Sequence, residues 1–192
     1  MVFRPETLGE RFKRVSEVQK STLIVRPDDF RADDRGVYSH AGDMGLIAWS
    51  MAKSVFAELL PLVDEVRALA GVPGAGKTTW IENHAVRGAL YFDSTLSMRK
   101  NRRGICEMAA AAGRPIDCVF IDTDLEVCLA RNGERSPDRR APEASIRRAH
   151  RRLTECPPAT DEGWRAVMRV GADTASPGPR VGGALDSVGR DL

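Results

Sequence analysis

Apolar and polar positions along this chain alternate between short continuous apolar runs and longer stretches of helical spacing. The run Ser21 to Val25 (STLIV) is β-branched and ends before Pro27, which predicts a buried strand. Gly45 to Val63 carries Leu46, Trp49, Val55, Phe56 and Leu59 at helical spacing, with Pro61 expected to end or kink the helix. Val66–Ala70 predicts a second strand, and residues 78–86 a helix. Ala89–Phe92 predicts a third strand ending at Asp93, and Ile116–Ile121 a fourth. Helices are expected over Arg99–Ala112, stopped by Gly113 and Pro115, then over Leu125–Asn132 and Ala141–Leu153, the last with Pro142 near its first turn. Trp164–Val170 predicts a last strand. Strands that alternate with helices predict an α/β fold: a parallel sheet with helices on both faces.

Between the second strand and the following helix lies Gly71-Val72-Pro73-Gly74-Ala75-Gly76-Lys77-Thr78, a complete match to G-x-x-x-x-G-K-[ST]. Glycines at 71, 74 and 76 let successive amide N–H groups turn inward toward phosphate oxygens, and the helix that follows adds its positive dipole end. In such loops the lysine, here Lys77, reaches the β and γ phosphates and the hydroxyl of Thr78 is a magnesium ligand. Gly71, Gly74, Ala75, Gly76, Lys77, Thr78 and Thr79 are therefore the expected nucleotide-binding residues, and ATP with Mg2+ the expected cofactors. The loop alone does not separate a kinase from an ATPase or a GTPase.

Composition narrows the class. The chain has 192 residues, enough for one domain, expected over residues 1–170 with a flexible tail at 171–192 rich in Gly, Pro and Ser. It is 42% hydrophobic and 29% charged, with no run of about 18 consecutive apolar residues and no signal-like start, which predicts a cytoplasmic protein with no membrane contact. Cys106, Cys118, Cys128 and Cys156 form no metal-ligand spacing and are expected as buried or free thiols; His40, His84 and His150 are scattered surface or core residues. Net charge is only +2, yet eight arginines against three acids fall between Arg131 and Arg152. Such a cluster either binds an anion or is a solvated helix face. Arg26-Pro27-Asp28-Asp29-Phe30-Arg31 follows the first strand, where ligands bind in parallel sheets; taken alone, its DD pair is more often a turn or helix cap.

Residues 67–164 resemble the kinase domain of bacteriophage polynucleotide 5′-hydroxyl kinases. The similar pieces are GVPGAGKTTW at 71–80, FDSTLSMRKNRR at 92–103, and LARNGER followed by the PEASIRR helix. The resemblance implies a P-loop kinase with an arginine-bearing lid, Arg131 and Arg135 being the lid arginines. It implies that Asp28 is the general base, that Arg31, with Asp29 beside it, contacts the acceptor, and that Asp93 lies near magnesium. In that family the Asp-Asp-aromatic-Arg segment follows the phosphate loop, whereas here it precedes it by about forty residues. A circular permutation that carries one strand–helix unit (residues 15–65) to the N-terminus accounts for this, because strand position depends on neighbours and crossover geometry more than on chain order. Ser94-Thr95 stands where the family commonly has Thr-Asn.

The implied activity is transfer of the γ-phosphoryl of ATP to a hydroxyl on DNA, either a 5′ end or the hydroxymethyl group of 5-hydroxymethyluracil. A small-metabolite or nucleotide-sugar kinase and a non-catalytic ATPase switch share the loop and stay open. Aromatic residues make up 6% of the chain, and no stacking platform for single strands is visible in the sequence.

Overall fold

A computed structural model describes residues 22–31 and 42–171. Ser21, His40 and the tail expected at 171–192, Gly171 apart, fall outside the described residues. Five strands form one parallel sheet: β1 (Leu23–Val25), β2 (Glu65–Ala70), β3 (Ala89–Asp93), β4 (Ile116–Asp122) and β5 (Ala166–Gly171), in the spatial order β1-β3-β2-β4-β5. All five residues of β3 are buried, the signature of a parallel strand covered on both faces. Among the described residues the α-helices are α1 (Gly42–Leu59), α2 (Lys77–His84), α3 (Arg99–Ala111), α4 (Leu125–Gly133) and α5 (Glu143–Glu155).

Helix α1 shows how one element is divided between core and surface. Ala48, Ala52 and Phe56 recur every four residues and are fully buried. Phe56 meets the Phe92 ring of β3 edge-on, centroids 5.0 Å apart, and Trp49 does the same at 5.4 Å. Leu46, Ile47 and Met51 point outward and are exposed. Polar residues interrupt every apolar run in this helix, yet Met44–Leu62 reaches a mean hydropathy of 1.2, long and apolar enough by length and composition to cross a membrane. The expectation of nothing approaching such a segment is corrected to that extent. In this fold the stripe is spent on packing against β3. At Leu59 the α-helix gives way to a 3-10 turn over Leu60–Leu62, because Pro61 has no N–H to continue the ladder.

Most expected elements shift by one or two residues. Pro142 is the N-cap of α5, next to its first turn as expected. The last strand starts at Ala166, not Trp164: the Trp164 side chain turns into the core, its Nε1 donating to Glu162 Oε2 (3.1 Å). Glu162 in turn receives Nε and Nη2 of the fully buried Arg102 at 2.6 and 2.5 Å, tying α3 to the segment before β5. Burial raises the pKa of the Cys106 thiol to about 12, and those of Cys118 and Cys128 shift the same way; all three are buried outside any disulfide, Cys128 Sγ donating to the Thr123 carbonyl (3.5 Å), while Cys156 is exposed. Among the described residues no cluster of His, Cys, Asp and Glu could hold a metal alone.

Sheet order decides where the site lies. From β2 the chain winds to β3 on one side and then crosses to β4 on the other. The crevice outside the carboxyl end of β2 is thus a topological switch point, where ligands bind in open α/β sheets. The N-terminal strand β1 pairs with the far side of β3, Val25 opposite Phe92. Its carboxyl end therefore opens onto the same crevice.

Candidate functional site

The loop from Gly71 to Thr78 leaves β2 and enters α2, as its motif requires. Its glycines are structural necessities at two points. Gly74 has φ +85, and a Cβ there would stand 2.3 Å from the Cys128 carbonyl oxygen of α4; Gly76 has φ +103 and caps α2. Neighbouring elements clamp the loop: Thr123 Oγ1, just past β4, donates to the Ala75 carbonyl (2.8 Å), and the Gly71 N–H donates to the Thr95 carbonyl (3.2 Å). Leu96, next to Thr95, is buried at φ +47, a left-handed conformation that costs a branched residue energy. Arg102 Nη1 donates to the Leu96 carbonyl (3.1 Å) and holds that turn.

Lys77 folds back over the loop, its Nζ donating to the carbonyls of Gly71 (2.9 Å) and Val72 (3.3 Å). Burial lowers its pKa, and the carboxylates of Asp93 and Asp28 oppose that shift. Thr78 and Thr79 are exposed at the start of α2. Asp93 closes β3, is buried, and accepts Arg26 Nε at 3.0 Å. Magnesium suits this arrangement, since it takes one or two protein oxygens together with substrate phosphates rather than a cage of carboxylates. The Thr78 hydroxyl and the Asp93 carboxylate would supply those oxygens.

The far wall comes from the 3-10 turn Pro27–Phe30, which follows β1 and packs along α1. Asp28 is exposed and pairs with Arg31 Nε at 3.1 Å. Burial raises the pKa of Asp29, against the field of Arg26. Gly45 of α1 leaves room for Arg31: a Cβ there would lie 3.2 Å from Arg31 Nη2. Over the opposite side stand the arginines of α4 and the loop after it. Arg131 Nη1 donates to the Gly74 carbonyl (3.3 Å), and Arg135 and Arg139 face the same space. Asn132 closes that loop, its amide exchanging two 3.0 Å hydrogen bonds with the backbone of Ala141.

These parts line one cleft of about 890 Å³, which brings Asp28, Asp29, Arg31, Gly74, Gly76, Lys77, Thr78, Thr79, Asp93, Arg131 and Arg135 together. Gly71 and Ala75 form the loop behind it. Arg26, Trp49, Arg139 and Asn132 were missed from the sequence. Arg26 and Asn132 each lie within a segment already singled out, Trp49 reads as one more apolar helix position, and only sheet order brings Arg26 and Trp49 to the cleft. The structure divides the arginine cluster: Arg131, Arg135 and Arg139 line the cleft, and others lie on a solvated helix face. Arg147 pairs with Glu143 and Glu126, and Arg151 with Glu155, on an exposed face of α5. His84 stacks on Trp80 at 4.7 Å and takes no part in the cleft.

Residues 87–156 match a family model described as an AAA domain. The fold is that of a P-loop nucleotide-binding protein. The matched stretch runs from the start of β3 through α5 and includes Asp93, Arg131 and Arg135, while the phosphate loop precedes it. Match and loop together support nucleotide use of the kinase or ATPase kind. No match was found among curated proteins.

Proposed function

We propose that this chain is an ATP-dependent kinase that phosphorylates a hydroxyl on nucleic acid. The observation that carries the reading is the shared cleft: a phosphate loop, a second wall bearing Asp28 and Arg31, and arginines from a third element. A nucleotide switch has no need of a carboxylate and a guanidinium facing the loop across open space. At about 890 Å³ the cleft lies at the upper end of the roughly 300–1,000 Å³ typical of ligand sites, which suits two substrates side by side.

In this mechanism the loop amides and Lys77 hold the β and γ phosphates, and magnesium, when bound, neutralises charge on them. Asp28 takes the proton of the acceptor hydroxyl as that oxygen bonds to the γ-phosphorus and ADP leaves. Arg131 and Arg135 balance the charge that builds on the transferring group, a task suited to planar guanidinium. Arg31 holds an acceptor phosphate. The order β1-β3-β2-β4-β5 suits the permutation, since the N-terminal strand occupies an edge position that a strand after the loop helix could equally fill.

The test offers γ-labelled ATP and magnesium with three DNAs: one with 5′-hydroxyl ends, one with blocked ends and internal 5-hydroxymethyluracil, and one with blocked ends and ordinary bases. Label on the first or second alone establishes the kinase and its acceptor. Label on none, with nucleotide binding intact, refutes the nucleic-acid reading and favours a small metabolite. Equal ATP hydrolysis with and without every acceptor points to the switch.

A further inference from the structure

We infer that Trp49 is the platform on which the acceptor's base stacks, so that the acceptor is a nucleoside unit with an adjoining phosphate rather than a bare sugar or alcohol. This rests on the kinase reading above and narrows its substrate. Of the three tryptophans, Trp80 and Trp164 are each 4% exposed and belong to the core, whereas Trp49 is half-buried and lines the cleft. The scarcity of aromatic residues therefore hides a platform that the fold puts in the one place it is useful.

Its surroundings are those of a recognition site. Trp49 lies on α1 one turn after Gly45, so helical spacing puts both on one face. Gly45, with no side chain, lets the Arg31 guanidinium pack close against α1, and Gly45, Arg31 and Trp49 together line this part of the cleft. The indole is held in place by its edge-on contact with Phe92 (5.4 Å, 86° between planes), the residue directly before Asp93. The wall is thereby tied to the acidic end of β3 as well as to α1. Arg26, Arg31 and Arg139 line the same cleft and give it the positive charge that a phosphate needs. A pinned π-face beside guanidinium groups suits a base and its phosphate together, and is indifferent to which base, because every base has a π-face. A metabolite without a base leaves the indole unused.

Two sources of such a unit exist, the terminal nucleoside of a strand and a modified nucleoside swung out of one, and the experiment separates them. Transfer is measured for wild type, Trp49→Phe and Trp49→Ala on four acceptors: a 5′-hydroxyl oligonucleotide, the same strand ending in an abasic sugar, an end-blocked strand with internal 5-hydroxymethyluracil, and ribose 5-phosphate. Trp49→Ala should raise the KM for the base-bearing acceptor about ten- to hundredfold, with Trp49→Phe close to wild type and the KM for ATP unchanged. The abasic acceptor should be poor for wild type and no worse for Trp49→Ala. Whichever of the base-bearing strands responds identifies the source. Wild-type tryptophan emission, read with ADP present and no turnover, should be quenched by a 3′-phosphorylated nucleoside and not by ribose 5-phosphate, and Trp49→Phe should abolish the quenching.

Failures separate cleanly. Transfer to DNA that is equally efficient on abasic ends, or a Trp49→Ala variant impaired for ATP and every acceptor alike, overturns the platform and leaves the kinase reading in place. Quenching without transfer to any nucleic acid keeps the platform and overturns the nucleic-acid kinase. Preference for ribose 5-phosphate overturns both.

Discussion

The two walls of the cleft are built on different physics. The phosphate-loop wall is backbone: glycine conformations, carbonyls and amides, clamped by Thr123 and Thr95 and backed by the Cys128 carbonyl within 2.3 Å of where a Gly74 Cβ would be. The opposite wall is side chain: a short 3-10 turn offering Asp28, Asp29 and Arg31, set against α1 with an exposed carboxylate paired to a guanidinium. The first tolerates almost no change because phosphates are read by amides whose positions the fold dictates. The second can be retuned one residue at a time, which on the proposed kinase reading is what selection of an acceptor requires.

Substitutions test that contrast. The largest effect is expected at Lys77, the side chain of the backbone wall that the proposed mechanism sets on the β and γ phosphates. Lys77→Ala should lower transfer by about a thousandfold, in line with the loss of one electrostatic contact to a developing charge, measured as kcat at saturating ATP. Asp28→Asn comes next: kcat should fall about a hundredfold with nucleotide affinity unchanged by calorimetry. Asp29→Asn run beside it decides between neighbouring carboxylates, and a larger loss there would move the proton acceptor to Asp29.

Two glycines compare the walls directly. At Gly74 the added methyl meets backbone at positive φ, so Gly74→Ala should cost about 1–3 kcal/mol in urea unfolding and abolish nucleotide binding. At Gly45 the added methyl meets only the flexible end of Arg31, on a helix that favours alanine. Gly45→Ala should leave stability within about 1 kcal/mol of wild type, and should raise the acceptor KM severalfold with no change for ATP. Equal loss at both glycines would mean that the two walls are equally rigid.

The strands, the helices and the phosphate loop were legible in the chain because each depends on neighbours within a few residues. Continuous apolar runs marked β2, β3 and β4, and a glycine pattern between strand and helix can hardly do other than cup an anion. The unit at 22–62 was legible as a strand and a helix, but its place was not. Val25 reaches Phe92 across 67 residues of chain, and no local pattern encodes that pairing.

Nor does local pattern sort the arginines, among which only the family resemblance sets Arg131 and Arg135 apart. Arg131 and Arg147 look alike in sequence; one faces the phosphate loop and the other pairs with Glu143 in solvent, because α4 runs toward the cleft while α5 turns that face away. Trp49 is the same lesson in reverse, an apolar helix position until β3 brings Phe92 beneath its edge and the cleft beside it. Local sequence determined that this protein binds a nucleotide, since the binding atoms belong to one continuous loop. Tertiary structure decided what stands opposite that loop, since those atoms come from three separate elements and meet only through the order of strands in the sheet.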